Sequence, residues 1–212
     1  MLIKTIPVGQ LEENCYVIIN ENTVHAVVID PGDESNTIMD YIEDAKITVD
    51  AIFLTHAHYD HTGAVGALVQ ELGCPVYMHY EDLCIDNESM DPFYKRSHFD
   101  PPEGCVVNFV ADNDIISLAG LTFKILHTPG HTTGGISIVC EDAIFTGDTL
   151  FKGSAGRTDF YGGDYDTELK SLARLCALPG DYEVYPGHMD SSTLERERNL
   201  NYYCREAMRR FK

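Results

Sequence analysis

Residues 55–61 read Thr55-His56-Ala57-His58-Tyr59-Asp60-His61, directly after the apolar run Ala51–Leu54 and just before a helical pattern. Four side chains able to bind a metal lie within six positions of this stretch. They cannot all be ordinary core residues, because each buried imidazole or carboxylate would need its own partner. A loop between a strand and a helix can turn His56 and His58 to one side and Asp60 and His61 to the other. The stretch therefore predicts a loop that serves two adjacent cations.

Further candidate ligands come after three later apolar strands, each just before or within a turn. They are His131 in Thr128-Pro129-Gly130-His131-Thr132, Asp148 in Thr146-Gly147-Asp148, and His188 in Pro186-Gly187-His188. A glycine directly before each candidate lets the backbone pass close to a metal. Imidazole and carboxylate ligands suit zinc, iron or manganese, and the lack of thiolate ligands argues against a purely structural zinc site.

Short β-rich runs alternate with helical patterns in both halves of the chain, with no low-complexity linker between them. The pattern predicts one domain over residues 1–212, of class α/β (α+β), with two sheets packed face to face and helices outside. Helices are expected at Thr37–Ala45, Gly63–Leu72, Tyr165–Ala177 and near Leu194–Arg209. Residues 81–103 are acidic, aromatic and proline-containing, which is typical of a surface excursion that can cover a site.

Charge and composition exclude several classes of function. The 34 acidic and 15 basic residues give a formal net charge of −19, which repels phosphate backbones and argues against nucleic acid as a partner. No apolar run approaches the roughly 20 residues of a membrane helix, and the N-terminus lacks a secretory pattern. The seven cysteines form no CxxC pair and are expected to be reduced, in a cytoplasmic protein.

These motifs together resemble the metallo-β-lactamase superfamily, and within it the short glyoxalase-II-like (hydroxyacylglutathione hydrolase-like) group. The family motif THxHxDH stands at 55–61, TPGHT at 128–132, GDTLF at 147–151 and PGH at 186–188. The resemblance implies an αββα sandwich of two mixed β-sheets flanked by helices. It also implies two divalent metal ions, zinc being expected and iron or manganese being alternatives. Their implied ligands are His56, His58 and His131 for one ion, Asp60, His61 and His188 for the other, and Asp148 bridging both.

A dinuclear site of this kind predicts a metal-dependent hydrolase of a small-molecule thioester such as S-lactoylglutathione, with Asp60 and Asp148 as catalytic residues. Two cations lower the pKa of a shared water towards about 7, so that hydroxide can attack a polarised carbonyl. Tyr59 is expected to line the pocket. Arg157, in a GxxGRTD run at 153–159, either binds a substrate carboxylate or pairs with Asp159.

The alternative is a persulfide dioxygenase with a single iron on His56, His131 and Asp148. In that group a GCGR cysteine stands where this chain has Ala155, which counts against it, and a β-lactamase is disfavoured by the N-terminus. Residues 189–212 are too few for the glutathione-binding helical domain of long glyoxalase II enzymes. His127 is expected to be structural, and the assembly is open between a monomer and a homodimer.

Overall fold

A computed structural model describes residues 1–84 and 92–211 of the chain. The strands are β1 (Leu2–Val8), β2 (Glu13–Asn20), β3 (His25–Ile29), β4 (Thr48–Phe53), β5 (Val76–His79), β6 (Val107–Val110), β7 (Ile115–Leu118), β8 (Leu121–His127), β9 (Ile136–Cys140), β10 (Ala143–Gly147), β11 (Leu150–Phe151), β12 (Ser154–Ala155), β13 (Glu183–Pro186) and β14 (Ser192–Thr193). The helices are α1 (Ser35–Ala45), α2 (Tyr59–Thr62), α3 (Val65–Leu72), α4 (Pro92–Arg96), α5 (Tyr165–Cys176), α6 (Leu194–Leu200) and α7 (Tyr202–Arg210), with a 3₁₀ turn at Tyr80–Asp82.

The strands form two six-stranded mixed sheets and a small β11–β12 ribbon. The first sheet has the order β1-β2-β3-β4-β5-β6, antiparallel from β1 to β3 and parallel from β3 to β6. The second has the order β14-β13-β10-β9-β8-β7, in which β10 and β13 are the parallel pair. Strand β8 alternates buried Leu121, Phe123 and Ile125 with exposed Thr122 and Lys124, the period of a half-buried strand.

Three apolar layers hold the sheets and helices together. Between the sheets, the rings of Phe53 and Phe123 lie 5.4 Å apart, centroid to centroid. Outside the first sheet, α1 and α3 bury Ile38 and Leu68. Outside the second sheet, α5 buries Leu172 with residues of α6 and α7. This is the predicted αββα sandwich of two mixed sheets flanked by helices, and that prediction is confirmed.

Two predicted helices differ from the structure. The helix expected at 63–72 is preceded by a separate short helix, α2, so the metal-binding motif itself runs into helical backbone. The helix expected near 194–209 is broken into α6 and α7 at Asn201, which is extended at φ −75° and ψ 125°. The side chain of Asn201 accepts hydrogen bonds from the backbone N–H groups of Tyr203 and Cys204. It therefore acts as an N-cap for α7, the role that asparagine fills best.

Strand ends carry the predicted motifs to one edge of the sandwich. Strands β4, β8, β10 and β13 each end just before a candidate ligand, and β10 and β13 run parallel side by side. The backbone N–H of Gly187 donates to the carbonyl of Gly147 at 2.8 Å, so the loops that follow these two strands stay together. Part of the excursion at 81–103, residues 85–91, lies outside the described residues. Within the described ranges, no helix is both long and apolar enough to cross a bilayer.

Candidate metal centre

Three imidazoles form a first cluster, defined as His56, His58 and His131. The Nδ1 atom of His58 lies 3.0 Å from His56 Nε2 and 2.8 Å from His131 Nε2. All three side chains are buried. Strand β4 ends at Phe53, and His58, extended at φ −62° and ψ 146°, is the N-cap residue of α2. Two separate loops therefore point three ring nitrogens at one place.

A second cluster is defined as Asp60, His61 and His188. Asp60 Oδ2 lies 3.3 Å from His188 Nε2 and 4.0 Å from His61 Nε2. His61 is fully buried, whereas the other two are partly buried and line a cavity. One ligand atom from each residue fits within 4.8 Å of the others, the spacing of a three-ligand metal site.

Asp148 stands between the clusters and faces both. Its Oδ1 lies 3.4 Å from His61 Nε2, and its Oδ2 lies 3.4 Å from His131 Nε2 and 3.7 Å from His188 Nε2. The neighbouring glycines make room for this approach. A Cβ at Gly187 would lie 2.3 Å from Asp148 Oδ1, and one at Gly147, whose φ is +49°, would lie 2.3 Å from Thr55 Oγ1. Glycine before these candidates is therefore required by close packing.

Contacts on the far side of each ring fix which nitrogen carries the proton. The Nδ1 atoms of His131 and His188 lie 2.7 and 3.1 Å from the backbone carbonyls of Arg157 and Leu11. His61 Nδ1 lies 3.0 Å from the Asp30 carboxylate. Carbonyl and carboxylate oxygens only accept hydrogen bonds, so Nδ1 is the donor in each case. The Nε2 lone pairs therefore point into the clusters, as metal-binding histidines require.

Asp30 and Thr55 form the support beneath this loop. Asp30 accepts hydrogen bonds from the backbone N–H and the hydroxyl of Thr55, at 2.7 and 2.5 Å. Thr55 Oγ1 then lies 3.1 Å from His56 Nδ1 as an acceptor. In the sequence, Asp30 stands in Asp30-Pro31-Gly32, which is typical of a turn. Its role as a common anchor for His56 and His61 depends on tertiary contact and leaves no local signal.

The residues present fit bound metal ions. His61 Nε2 and Asp148 Oδ1 are buried and have no hydrogen-bond partner among the described residues. In the first cluster, His58 Nδ1 lies 3.0 and 2.8 Å from the Nε2 atoms of His56 and His131, and a single ring nitrogen cannot donate to both. Buried polar groups without partners destabilise a fold unless something binds them. A cation satisfies both conditions at once. The donor set of imidazole and carboxylate suits zinc, iron or manganese.

Burial and charge set the protonation of the clusters. Burial lowers the pKa of His58 to about 3 and that of His56 well below its usual range, so both rings stay neutral. Burial also lowers the pKa of His61, but the carboxylates of Asp148 and Asp30 outweigh it and raise that pKa well above its usual value. Neutral imidazole is the form that binds metal. His56 and His58 are therefore in the form that binds a metal.

A cavity of about 710 Å³ opens over both clusters. Its lining mixes the ligands Asp60, His131 and Asp148 with apolar and basic side chains, which are Leu11, Tyr59, Arg96, Phe151, Arg157, Phe160 and Met189 among others. Both predicted substrate contacts, Tyr59 and Arg157, are in this wall. Arg157 makes two hydrogen bonds to Asp159, at 2.7 and 2.8 Å, and its guanidinium lies 3.7 Å from the Phe160 ring centroid.

Several cavity residues were not found by sequence reasoning. Leu11 and Met189 come from loops far apart in the sequence, so no local pattern marks them. Arg96 ends α4 and Ser97 follows it, and both line the same wall. Within the described ranges, Arg96 forms no ion pair; its guanidinium lies 5.8 Å from the Tyr59 ring centroid. His127 lies outside both clusters, donating from Nε2 to the Thr133 carbonyl at 2.9 Å and stacking on His79.

Comparison with known proteins agrees with this geometry. The model of the metallo-beta-lactamase superfamily matches residues 8–188. The hydroxyacylglutathione hydrolase GloC of Haemophilus influenzae is 34% identical, over 95% of this chain and 97% of that protein. The chain belongs to the metallo-beta-lactamase superfamily, a superfamily of metallo-hydrolases whose fold binds metal ions. The predicted resemblance is thereby confirmed.

Solved structures with similar folds include three at high coverage. The BLEG-1 B3 metallo-beta-lactamase superposes with a TM-score of 0.83 at 32% identity, covering 96% of this chain and 99% of that one. The structure of TTHA1623 in a di-iron-bound form superposes with a TM-score of 0.80 at 35% identity, covering 94% of this chain and 99% of that one. ETHE1 from Myxococcus xanthus superposes with a TM-score of 0.79 at 28% identity, covering 95% of this chain and 84% of that one.

Proposed function

We propose that this chain binds two divalent metal ions and hydrolyses a thioester such as S-lactoylglutathione. The observation that carries the proposal is Asp148, whose two oxygens face two complete three-ligand clusters at the wall of one cavity. The first cluster would hold one ion and the second the other. The identity to GloC supports this substrate class. Zinc is the expected metal, with iron or manganese as alternatives; the di-iron-bound TTHA1623 structure keeps iron open.

The chemistry divides between the metals and the chain. Bound in these clusters, divalent ions would lower the pKa of a water and polarise the substrate carbonyl. Asp60, partly open to the cavity, would accept a hydrogen bond from that water and orient it towards the carbonyl. Leu11, Phe151 and Met189 would pack on the substrate and exclude bulk water. A thiolate leaving group needs little protonation, so the reaction needs no additional acid in the wall.

The basic residues of the wall would select the substrate's charge. Arg157 and Arg96 line the cavity of a chain with a net charge of −19, so they favour an anionic substrate locally. Arg157 is already engaged by Asp159, and an anionic group would have to share or displace that pair. Tyr59, with an exposed ring at the cavity mouth, would pack on the substrate. Seven cysteines without a disulfide among the described residues support a reducing, cytoplasmic setting.

A substrate panel tests the proposal. The purified protein is loaded separately with zinc, iron and manganese and assayed on S-lactoylglutathione, on a chromogenic β-lactam and on glutathione persulfide with an oxygen electrode. We expect thiol release from the thioester with at least one metal, and β-lactam turnover below about 1% of that kcat/KM. The β-lactam arm addresses the similarity to BLEG-1.

The second candidate is the persulfide dioxygenase, which the similarity to ETHE1 keeps open. It would use one iron on His56, His131 and Asp148 and leave Asp60, His61 and His188 without a function. Oxygen consumption on the persulfide by the iron-loaded protein, with no thiol release from any thioester, would establish this candidate and overturn the first.

A further inference from the structure

Asp82 is a buried carboxylate, 2% exposed, that the proposed reaction does not use. It ends the 3₁₀ turn after β5. Its Oδ2 accepts hydrogen bonds from the backbone N–H of Ala57 at 3.1 Å and from the hydroxyl of Thr132 at 2.8 Å. Its Oδ1 accepts one from the backbone N–H of Gly134 at 2.6 Å. Each of these donors lies in a loop that carries the first cluster.

The position of the donors is specific. Ala57 stands between His56 and His58, and Thr132 directly follows His131. A Cβ at Gly134 would lie 2.6 Å from the Asp82 carboxyl carbon, so a residue with a side chain would clash with the carboxylate here. One side chain therefore joins the loop after β4 to the loop after β8, which are 73 residues apart at their ligands.

Asp82 has no cation partner among the described residues. Burial raises its pKa to about 6, although hydrogen bonds from Thr132, Gly134 and Ala57 oppose the rise. A carboxylate buried in this way destabilises the fold unless its hydrogen bonds are nearly complete. An apolar side chain would fill this buried position without the cost of burying a charge. The carboxylate therefore indicates that the three hydrogen bonds it accepts are needed here.

The backbone of Asp82 reaches the cavity wall as well. Its carbonyl accepts from the N–H of Phe99 at 2.8 Å, and the Phe99 carbonyl accepts from the N–H of Cys84 at 2.8 Å. Phe99 follows Arg96 and Ser97, which line the cavity. Asp82 thus holds the first cluster through its side chain and this part of the wall through its backbone.

We propose that Asp82 is the positioning residue of the first cluster, fixing its two loops relative to each other and to the wall that carries Arg96 and Ser97. The inference rests on metal binding at the clusters and not on the identity of the substrate. Contacts of this outer kind typically change metal affinity by about 10- to 100-fold when removed. The effect should be much larger at the first cluster, because the side-chain contacts of Asp82 adjoin His56, His58 and His131, whereas Asp60 and His61 lie three and four positions beyond Ala57 in the shared loop.

Metal release into a chromophoric chelator tests this with zinc as the probe. In His188→Ala protein, which keeps the first cluster, Asp82→Ala should release the remaining zinc at about 10- to 100-fold lower chelator concentration. In His131→Ala protein, which keeps the second cluster, Asp82→Ala should change release less than threefold. Glu81→Gln, an exposed neighbour in the same turn, is the matched control and should change neither.

Asp82→Asn keeps the fold testable if Asp82→Ala unfolds. Asparagine retains one carbonyl oxygen for the Ala57 N–H and the Thr132 hydroxyl but sets an amide against the Gly134 N–H, so its effect should be intermediate. Equal weakening in both backgrounds, or none in the His188→Ala background, would overturn the proposal. Thioester turnover is not part of the measurement, so a failed substrate assignment leaves the result interpretable.

Discussion

The Asp148 carboxylate faces both clusters, with Oδ1 near His61 and Oδ2 near His131 and His188. Its loss should therefore affect both. Its pKa is held low, since the histidines His61, His131 and His188 around it outweigh the effect of burial. We expect Asp148→Ala to weaken binding of both ions by at least about 100-fold, more than an outer contact would, and to abolish turnover. Equilibrium dialysis followed by elemental analysis measures both ions in one experiment.

His127 provides the matched control for Asp148. It directly precedes the TPGHT motif at 128–132 but contacts Thr133 and His79 instead of the clusters. Replacing it with alanine should leave two ions bound and change kcat/KM by less than about threefold. Loss of metal in His127→Ala protein with retention in Asp148→Ala protein would reverse our assignment of ligands.

The two arginines of the cavity wall differ in the partners that they already have. Arg157 already holds Asp159, whereas Arg96 has no ion pair among the described residues. A carboxylate on the substrate should therefore gain more from Arg96. We expect Arg96→Gln to lower kcat/KM about tenfold, or roughly 1.4 kcal/mol, for a carboxylate-bearing thioester, and to leave a neutral analogue unchanged. A larger loss with Arg157→Gln would assign the role to Arg157 instead.

At the scale of elements, a polar residue, Asn201, ends α6 at a point where the sequence pattern predicts that the helix continues. Asn201 is fully buried and donates from Nδ2 to the carbonyls of Phe151 and Ser154 and to Glu197. It joins the C-terminal helices to the β11–β12 ribbon. The apolar spacing over 194–209 fits one helix, whereas these long-range contacts and the N-cap that Asn201 gives α7 favour two.

We expect Asn201→Ala to lower the free energy of unfolding by about 2–4 kcal/mol, because it removes the cap of α7 and leaves buried carbonyls without donors. Asn199, which is exposed on α6 and donates to the Glu195 carbonyl, is the control and should change stability by less than about 0.5 kcal/mol. Urea unfolding followed by circular dichroism compares the two. Equal effects would show that the junction is not stabilised by Asn201.

The sequence predicts those parts of the fold and site that are contiguous along the chain. Residues 55–61 hold four candidate ligands in one loop, and β8 shows its burial by strict alternation. The residues that support the ligands and line the cavity are not contiguous along the chain. Asp82 reaches its partners 25 to 52 positions away, and Leu11 lies in the cavity with Met189 through folding alone. Short motifs therefore indicate the ligands, whereas tertiary packing determines what holds them.

At the scale of the whole molecule, buried neutral histidines link stability to pH. The pKa of His58 is about 3 when folded and about 6.5 when unfolded. The unfolded chain therefore binds more protons between these values, and stability from His58 is present above pH 6.5 and lost as pH falls towards 3. Taken alone, His58 should make metal-free protein less stable at pH 5 than at pH 7 in urea unfolding, whereas His61, whose pKa is raised, acts in the opposite sense. His58→Asn protein should lose part of this difference, and an unchanged pH dependence would contradict the assignment.

The central claim is that one chain holds two metal ions joined by one carboxylate. The most direct test is the metal-to-protein ratio of the purified chain after saturation with zinc and removal of the excess by dialysis. The two three-ligand clusters and the shared position of Asp148 predict a ratio of two. Saturation at one ion per chain, unchanged when Asp60 or His188 is replaced, would contradict the account.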